Sequence, residues 1–333
     1  MHKTDRRRWL AQTGALFIGA TGAAMTTRSA WAQAEAYPAK PITLVCGYPP
    51  GGSTDLTART VAVELARRLG RQVIVENVGG AGGTLGALKV QQAAPDGYTL
   101  LLGANNEMAI AGLVNPNVRY DPVRQFTPIG RVASQPMVLV AGPKSGVKDV
   151  AGFIELVRRN PGQFSFGSSG VGTALHLAGE MVKEAAGLFI VHIPYRGVAP
   201  LTTDLLGGQL EFGVFVLSSG LPHIRSGKVV ALGTTEAKRS PVTPEIPALA
   251  EHPKLRNVDI SSWFGLWGPP GMPPAVVQRL RTALAESLTA PELRQKMGES
   301  GATVAPPGAE LGDFQVAEIS KYRRIVDYAK IRE

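Results

Sequence analysis

The sequence predicts an α/β fold in two successive domains, each built on a mainly parallel sheet. Three observations predict it. The chain has 333 residues, enough for two domains of ordinary size. Hydrophobic residues make up 44% and charged residues 18%, which supplies apolar material for packed cores. Short β-branched runs alternate with helical patterns, and the alternation restarts near residue 136 through a second set of glycine loops.

The elements follow in order. ITLVC (42–46) is a short apolar run beside prolines and reads as a buried parallel strand. Ala58, Val61, Ala62, Leu65 and Leu69 then recur at helical spacing, and Arg67, Arg68 and Gly70 mark that helix's end. QVIVEN (72–77) is the next strand. A glycine loop, a helix over 84–93, a Pro95-Asp96-Gly97 turn and a strand over 99–102 complete the first half. Strand–helix–strand succession implies parallel pairing with right-handed crossovers.

The second half opens with a strand over 136–141 and a helix over 146–160, stopped by Asn160-Pro161-Gly162. A strand over 164–167 enters the loop SSGVGT. A helix over 174–186 follows, with Leu175, Ala178 and Val182 inward and Gly187 at its end. FIVHIPY is a strand and 199–206 a helix. Strands over 210–215 and 228–235 come next. After a proline-rich stretch, helices are expected over 276–288, 291–297 and 313–330. Across the chain, 39 Gly and 25 Pro fall between periodic segments and mark short loops.

The N-terminus reads as a cleaved leader over 1–32. Arg6-Arg7-Arg8 precedes a mildly apolar stretch, and Ala30-Trp31-Ala32 is a small-x-small site with a twin-arginine flavour upstream. The stretch is too short and too rich in Gly and Thr to span a bilayer. The leader carries five basic residues against Asp5, so of the formal +9 only +5 belongs to the rest of the chain. That mild excess is weak ground for nucleic-acid binding. Cys46, the single cysteine, excludes an internal disulfide and sits inside an apolar run, as a buried strand residue would.

Three loops share one design, at 49–55, 79–84 and 167–173. Each joins a strand's carboxyl end to a helix start, where glycine admits a close approach and the first helical amides lack partners. Such a loop holds an anion without lysine or arginine. The loop at 79–84 reads as turn geometry. The loops at 49–55 and 167–173, one per half, read as a pair able to clamp one small anion. Ser53, Thr54 and Asp55 are candidate helix caps.

Enzyme signatures fail. GxGxxG breaks at Leu85, the P-loop pattern at Val229 and the nucleophile elbow at Val171. The histidines 2, 176, 192, 223 and 252 show no i,i+4 pair. His176 and His192 read as packed or capping residues.

The motifs YPAKPITLVCGYPPGGSTDLTAR, VIVENVGGAGGTLGA, AAPDGYTLLLG and YDPVRQFTPIG, then SSGVGTALHLAGEMVKEAAGLFIVHIPYRGVAPLTTDLLGGQLEFG and WFGLWGPPGMP, run in one order over nearly all the chain after the leader. This series resembles the solute-binding proteins of tripartite tricarboxylate transporters, the Bordetella uptake gene (Bug) family. The resemblance implies a periplasmic, type II-like Venus-flytrap receptor. It implies two domains, 33–136 with 260–333 and 137–259, joined by two crossing strands. It implies a monomer without catalytic residues or cofactor. The implied partners are a small carboxylate (a dicarboxylate, tricarboxylate, amino acid or aromatic acid) and membrane permease subunits. The implied ligand-binding residues are Tyr48, Pro49, Gly51, Gly52, Ser53, Thr54 and Asp55 in the first loop, and Ala104 and Asn105, with Asn106, after the strand at 99–102. Ser168, Ser169, Gly170, Gly172 and Thr173 are those of the second loop, joined by Tyr195 and Asp204.

Asp55 and Asp204 are expected to order loops and waters, or to meet a ligand's ammonium or hydroxyl, because like charges repel a carboxylate ligand. Glu107, were it to face the cleft, would disfavour a second ligand carboxylate. Two alternatives stay open at this level: a sensor subunit for a membrane kinase, and a secreted hydrolase or isomerase using Asp55, His176 or Asp204.

Overall fold

The computed structural model describes residues 37–332; the leader expected over 1–32 lies outside the described residues. Strand β1 (Ile42–Cys46) pairs in parallel with β2 (Val73–Asn77) on one side and β3 (Thr99–Ala104) on the other. The crossovers are α1 (Ser53–Leu69), closed by left-handed Gly70, and α2 (Thr84–Gln91). A π-helical turn, Asn106–Ile110, runs into the short α3 (Ala111–Val114).

Next comes β4, one 15-residue strand from Thr127 to Ala141. The sequence indicated only its second part, because Pro128, Gly130 and Pro136 interrupt the first. Those prolines are accommodated beside β9 (Ser261–Gly268), where the pairing shifts register twice. Up to Pro136, β4 pairs with β9; from Met137 it pairs with β7 (Phe212–Val216), and from Val138 with β8 (Val230–Thr234). Beyond β7, in parallel, lie β5 (Ser165–Ser168) and β6 (Val191–Pro194). The strand order is β2-β1-β3-β9-β4-β7-β5-β6, and β4 is common to both halves. The halves are therefore mixed: parallel at their outer strands, antiparallel where β9 and β4 join them.

In the second half, α4 (Val150–Arg159) starts later than its apolar pattern suggests because Asp149 caps it, accepting from Gly152 N. Helix α5 (Ala174–Ala186) has the expected bounds and ends at left-handed Gly187. Helix α6 (Val198–Gly207) is followed by α7 (Leu217–Arg225), which the sequence hides behind Gly220 and Pro222. The chain then returns through β9 to α8 (Pro274–Ser287), α9 (Pro291–Glu299), the short β10 (Thr303–Val304) and α10 (Gly312–Ala329).

Strand alternation sorts the core onto two faces. Leu44 of β1 packs with Leu65, Leu100 and Leu280, while Val45 faces the cluster of Leu101, Met108 and Tyr322. In β4, Val138 and Val140 join Leu201, Phe215 and Leu221, and Met137 and Leu139 point the other way. Helix α10 is tied down by polar bonds inside this core. Trp263 Nε1 donates to Glu318 Oε2 (3.0 Å) and Tyr322 Oη (3.1 Å), and Trp267 Nε1 donates to Gln315 Oε1 (3.2 Å). Gln315 Nε2 in turn donates to Met108 O (2.7 Å), which anchors the turn after β3.

Candidate functional site

The first loop leaves β1 at Gly47 and enters α1 at Gly52. Gly52 is the N-cap residue in extended conformation, and no described side chain caps the helix. Ser53 and Thr54 therefore do not cap, and Asp55 turns back instead. Asp55 Oδ2 accepts from Gly51 N (2.9 Å) and Arg59 Nε (3.0 Å), and Oδ1 accepts from Asn77 Nδ2 (2.8 Å). Burial alone raises the Asp55 pKa, but the Arg59, Gly51 and Asn77 bonds outweigh it and hold the carboxyl below its ordinary range. As expected, Asp55 orders the loop. The amides of Ser53, Thr54 and Asp55, first in the helix, donate to no group among the described residues.

Glycine contact fixes the base of this loop. A Cβ at Gly47 would lie 2.7 Å from Gly83 O, and one at Gly86 would lie 2.7 Å from Gly47 Cα. The glycine loop at 79–84 thus backs the first, and Gly79 abuts Pro49. Gly83, at φ 98°, has room for no side chain beside Glu107 Oε2 and Tyr48 Oη.

Tyr48 is the hub. Its hydroxyl bonds Glu107 Oε2 (2.6 Å) and Gly82 O (2.9 Å), and receives a hydrogen bond from Asn106 Nδ2 (3.3 Å). Glu107 is 1% exposed, and its other oxygen accepts from Ala104 N (2.6 Å). Burial pushes its pKa up to about 7, against the pull of those bonds. Glu107 is a buried support for Tyr48, not a group on an open surface. Asn105 is also buried, its Nδ2 committed to Ser261 O (3.0 Å) and Tyr322 Oη (3.1 Å) on the α10 side.

The second loop is equally crowded with internal bonds. Ser168 Oγ, fully buried, donates to Gly170 O (3.0 Å), accepts from Gly170 N (3.2 Å) and lies 2.7 Å from His192 Nε2. Thr173 caps α5 by accepting from His176 N, and its hydroxyl donates to Gly170 O (2.9 Å). Gly172 N donates to His176 Nδ1 (3.1 Å), and His176 stacks on His192 at 3.7 Å. Ser169 O accepts from Gly197 N (3.2 Å). Tyr195 Oη donates to Asp204 Oδ2 (2.8 Å), so Asp204 orients that ring.

Of the residues named for the hydrolase alternative, Asp55 is bonded to Arg59, Asp204 to Tyr195, and His176 is stacked on His192. His192 is driven down to about 3, first by burial and then by His176, so it stays neutral. His176 Nε2 and Glu180 Oε1 are 3.6 Å apart, beyond hydrogen-bond length. Cys46 is buried and its thiol is pushed up to about 11 by burial. No cluster of three metal-ligating side chains occurs among the described residues, nor a helix long and apolar enough to cross a membrane.

One residue, Asn106, joins the two loops. Asn106 reaches Tyr48 with its Nδ2 and accepts from Ala174 N (2.9 Å) with its Oδ1. Beside it, a Cβ at Gly172 would lie 2.6 Å from Val114, so the second loop is seated on α3.

A family model described as the tripartite tricarboxylate transporter family receptor matches residues 57–330. The chain belongs to the tripartite tricarboxylate transporter receptor family. BugT of Bordetella pertussis is 34% identical to it over 324 residues, 96% of each chain. The periplasmic binding protein BugD has TM-score 0.78 at 34% identity, over 89% of this chain and 99% of its own. An R. palustris protein with adipate has TM-score 0.81 at 31% identity, again over 89% and 99%. The expected solute-binding receptor and its periplasmic-binding-protein fold are thereby borne out. A cavity of about 180 Å³ between β4, α8 and residues 308–311 is lined by Arg131 and Arg281 and by none of this receptor's loop residues.

Proposed function

We propose that this receptor captures a small carboxylate between two domains and delivers it to membrane permease subunits. The domains are 33–136 with 260–333, and 137–259. The switch of β4 from β9 to β7 between Pro136 and Met137 supports that division. The observation that carries the reading is the start of α1, whose first amides donate to no group among the described residues, at the end of the Tyr48 loop that Asn106 joins to α5. A helix start of this kind favours a carboxylate. The R. palustris relative with adipate supports the same chemistry. The ligand contacts are drawn from the first loop, Tyr48 to Asp55, and from the second, Ser168 to Thr173, with Tyr195 and Asp204 positioning them. The 1–32 segment exports the chain to the periplasm, where it works as a monomer.

The test is thermal unfolding of protein that has been denatured, stripped and refolded. The panel holds adipate, malate, citrate, glutamate and nicotinate. A ligand at 100 times its Kd adds about 2.7 kcal/mol to stability, a melting shift that is easily read. A flat response across the panel overturns the proposal.

A further inference from the structure

The donors at the start of α5 are almost all spoken for. Thr173 N donates to Gly170 O, Gly172 N to His176 Nδ1, and His176 N to Thr173 Oγ1. Those three bonds are local to the loop. The fourth is not: Ala174 N, the first amide of α5, donates to a side chain 68 residues away. That side chain, Asn106, follows β3 in one half of the sheet, whereas α5 follows β5 in the other. The same amide group reaches Tyr48 Oη of the first loop at 3.3 Å. A neutral carbonyl therefore sits where the helix start would best accept a negative charge.

We infer that Asn106 is an internal competitor for the ligand, a latch whose carbonyl holds the α5 amide until a carboxylate displaces it. This inference rests on the receptor's proposed carboxylate site. A neutral amide oxygen is a weak occupant. Hydrogen bonds to an ionised acceptor are roughly twice as strong, and the helix start favours the charge further. Exchange of Asn106 for a carboxylate is thus downhill, and until it occurs the Asn106 bonds keep the two loops joined. Asparagine suits the post better than aspartate. A charged side chain there would compete with the ligand on equal terms, and it would stand one residue from the buried Glu107 carboxyl.

The experiment compares wild type, N106A and N106D after stripping and refolding. Small-angle X-ray scattering reads the ligand-free dimensions, and calorimetry reads affinity for whichever panel carboxylate the wild type binds. N106A is expected to be more open without ligand and to bind about 3- to 10-fold tighter, the scale of one competing hydrogen bond removed. N106D is expected to stay compact and bind at least about tenfold more weakly. Wild-type dimensions in ligand-free N106A overturn the latch. So does weaker binding by N106A, which would make Asn106 a ligand contact. A wild type that binds none of the panel refutes the carboxylate function, and the scattering comparison then decides the latch alone.

Discussion

Substituting Glu107 by glutamine removes a buried carboxyl whose titration is built into the fold. The group is 1% exposed, and burial raises its pKa from the ordinary 4.5 to about 7. The folded state therefore holds a proton that the unfolded state releases. A raised acid contributes stability that is fully present below pH 4.5 and is lost as pH climbs through 7. At about 1.36 kcal/mol per pKa unit, the loss amounts to about 3 kcal/mol. Urea unfolding of wild type and E107Q at pH 4.5, 5.5, 6.5 and 8 measures it. Wild type should lose about 3 kcal/mol relative to E107Q over that range, nearly all below pH 7.5. Two curves that stay parallel would refute the reasoning, because Glu107 would then titrate in the fold as it does in the open chain.

Gly179→Ala should destabilise although alanine favours helix by about 1 kcal/mol, because its Cβ would sit 2.0 Å from Phe166 Cε2. Overpacking of about 1–3 kcal/mol should win, read as a lower urea midpoint with an unchanged slope. Asp55→Asn should cost about 1–3 kcal/mol near neutrality through the Gly51, Arg59 and Asn77 bonds. Since the Asp55 pKa is depressed, that cost should fade as pH falls below 3.8, where wild type loses the contribution too; a pH-independent gap would count against it. Trp263→Phe leaves Glu318 and Tyr322 without the indole donor and should cost about 1–3 kcal/mol in chemical denaturation, with the near-ultraviolet dichroism changed.

The outer strands and their crossovers were legible because each carries a complete local signal. Helix α5 is the clearest case: Thr173 caps it, Gly187 ends it, and three inward residues recur at helical spacing. The joining strands were harder. The first part of β4 contains two prolines and a glycine, which locally argue against a strand, and its pairing with β9 depends on residues more than 120 positions away. Helix α7 was hidden by Pro222 for the same reason: tertiary packing of Leu217 and Leu221 overrides a poor local propensity. At the site, the glycine loops were readable as backbone devices, and Asp55 as a loop-ordering acid. The distinct roles of Asn105, Asn106 and Glu107 were not, since three adjacent polar residues give no hint of which way each points. The π-helical turn and its N-cap send Asn105 toward β9 and α10, Asn106 toward α5 and Glu107 beneath Tyr48.

The contact of Gly47, Gly83 and Gly86 has a practical bearing on any effort to redirect the receptor to new solutes. Library designs that randomise the first loop alone will discard most variants at Gly47, since any larger residue there collides with backbone of the 79–84 loop, not with a movable side chain. Diversity belongs at Pro49, Ser53 and Asn106, with the three glycines held constant as a unit.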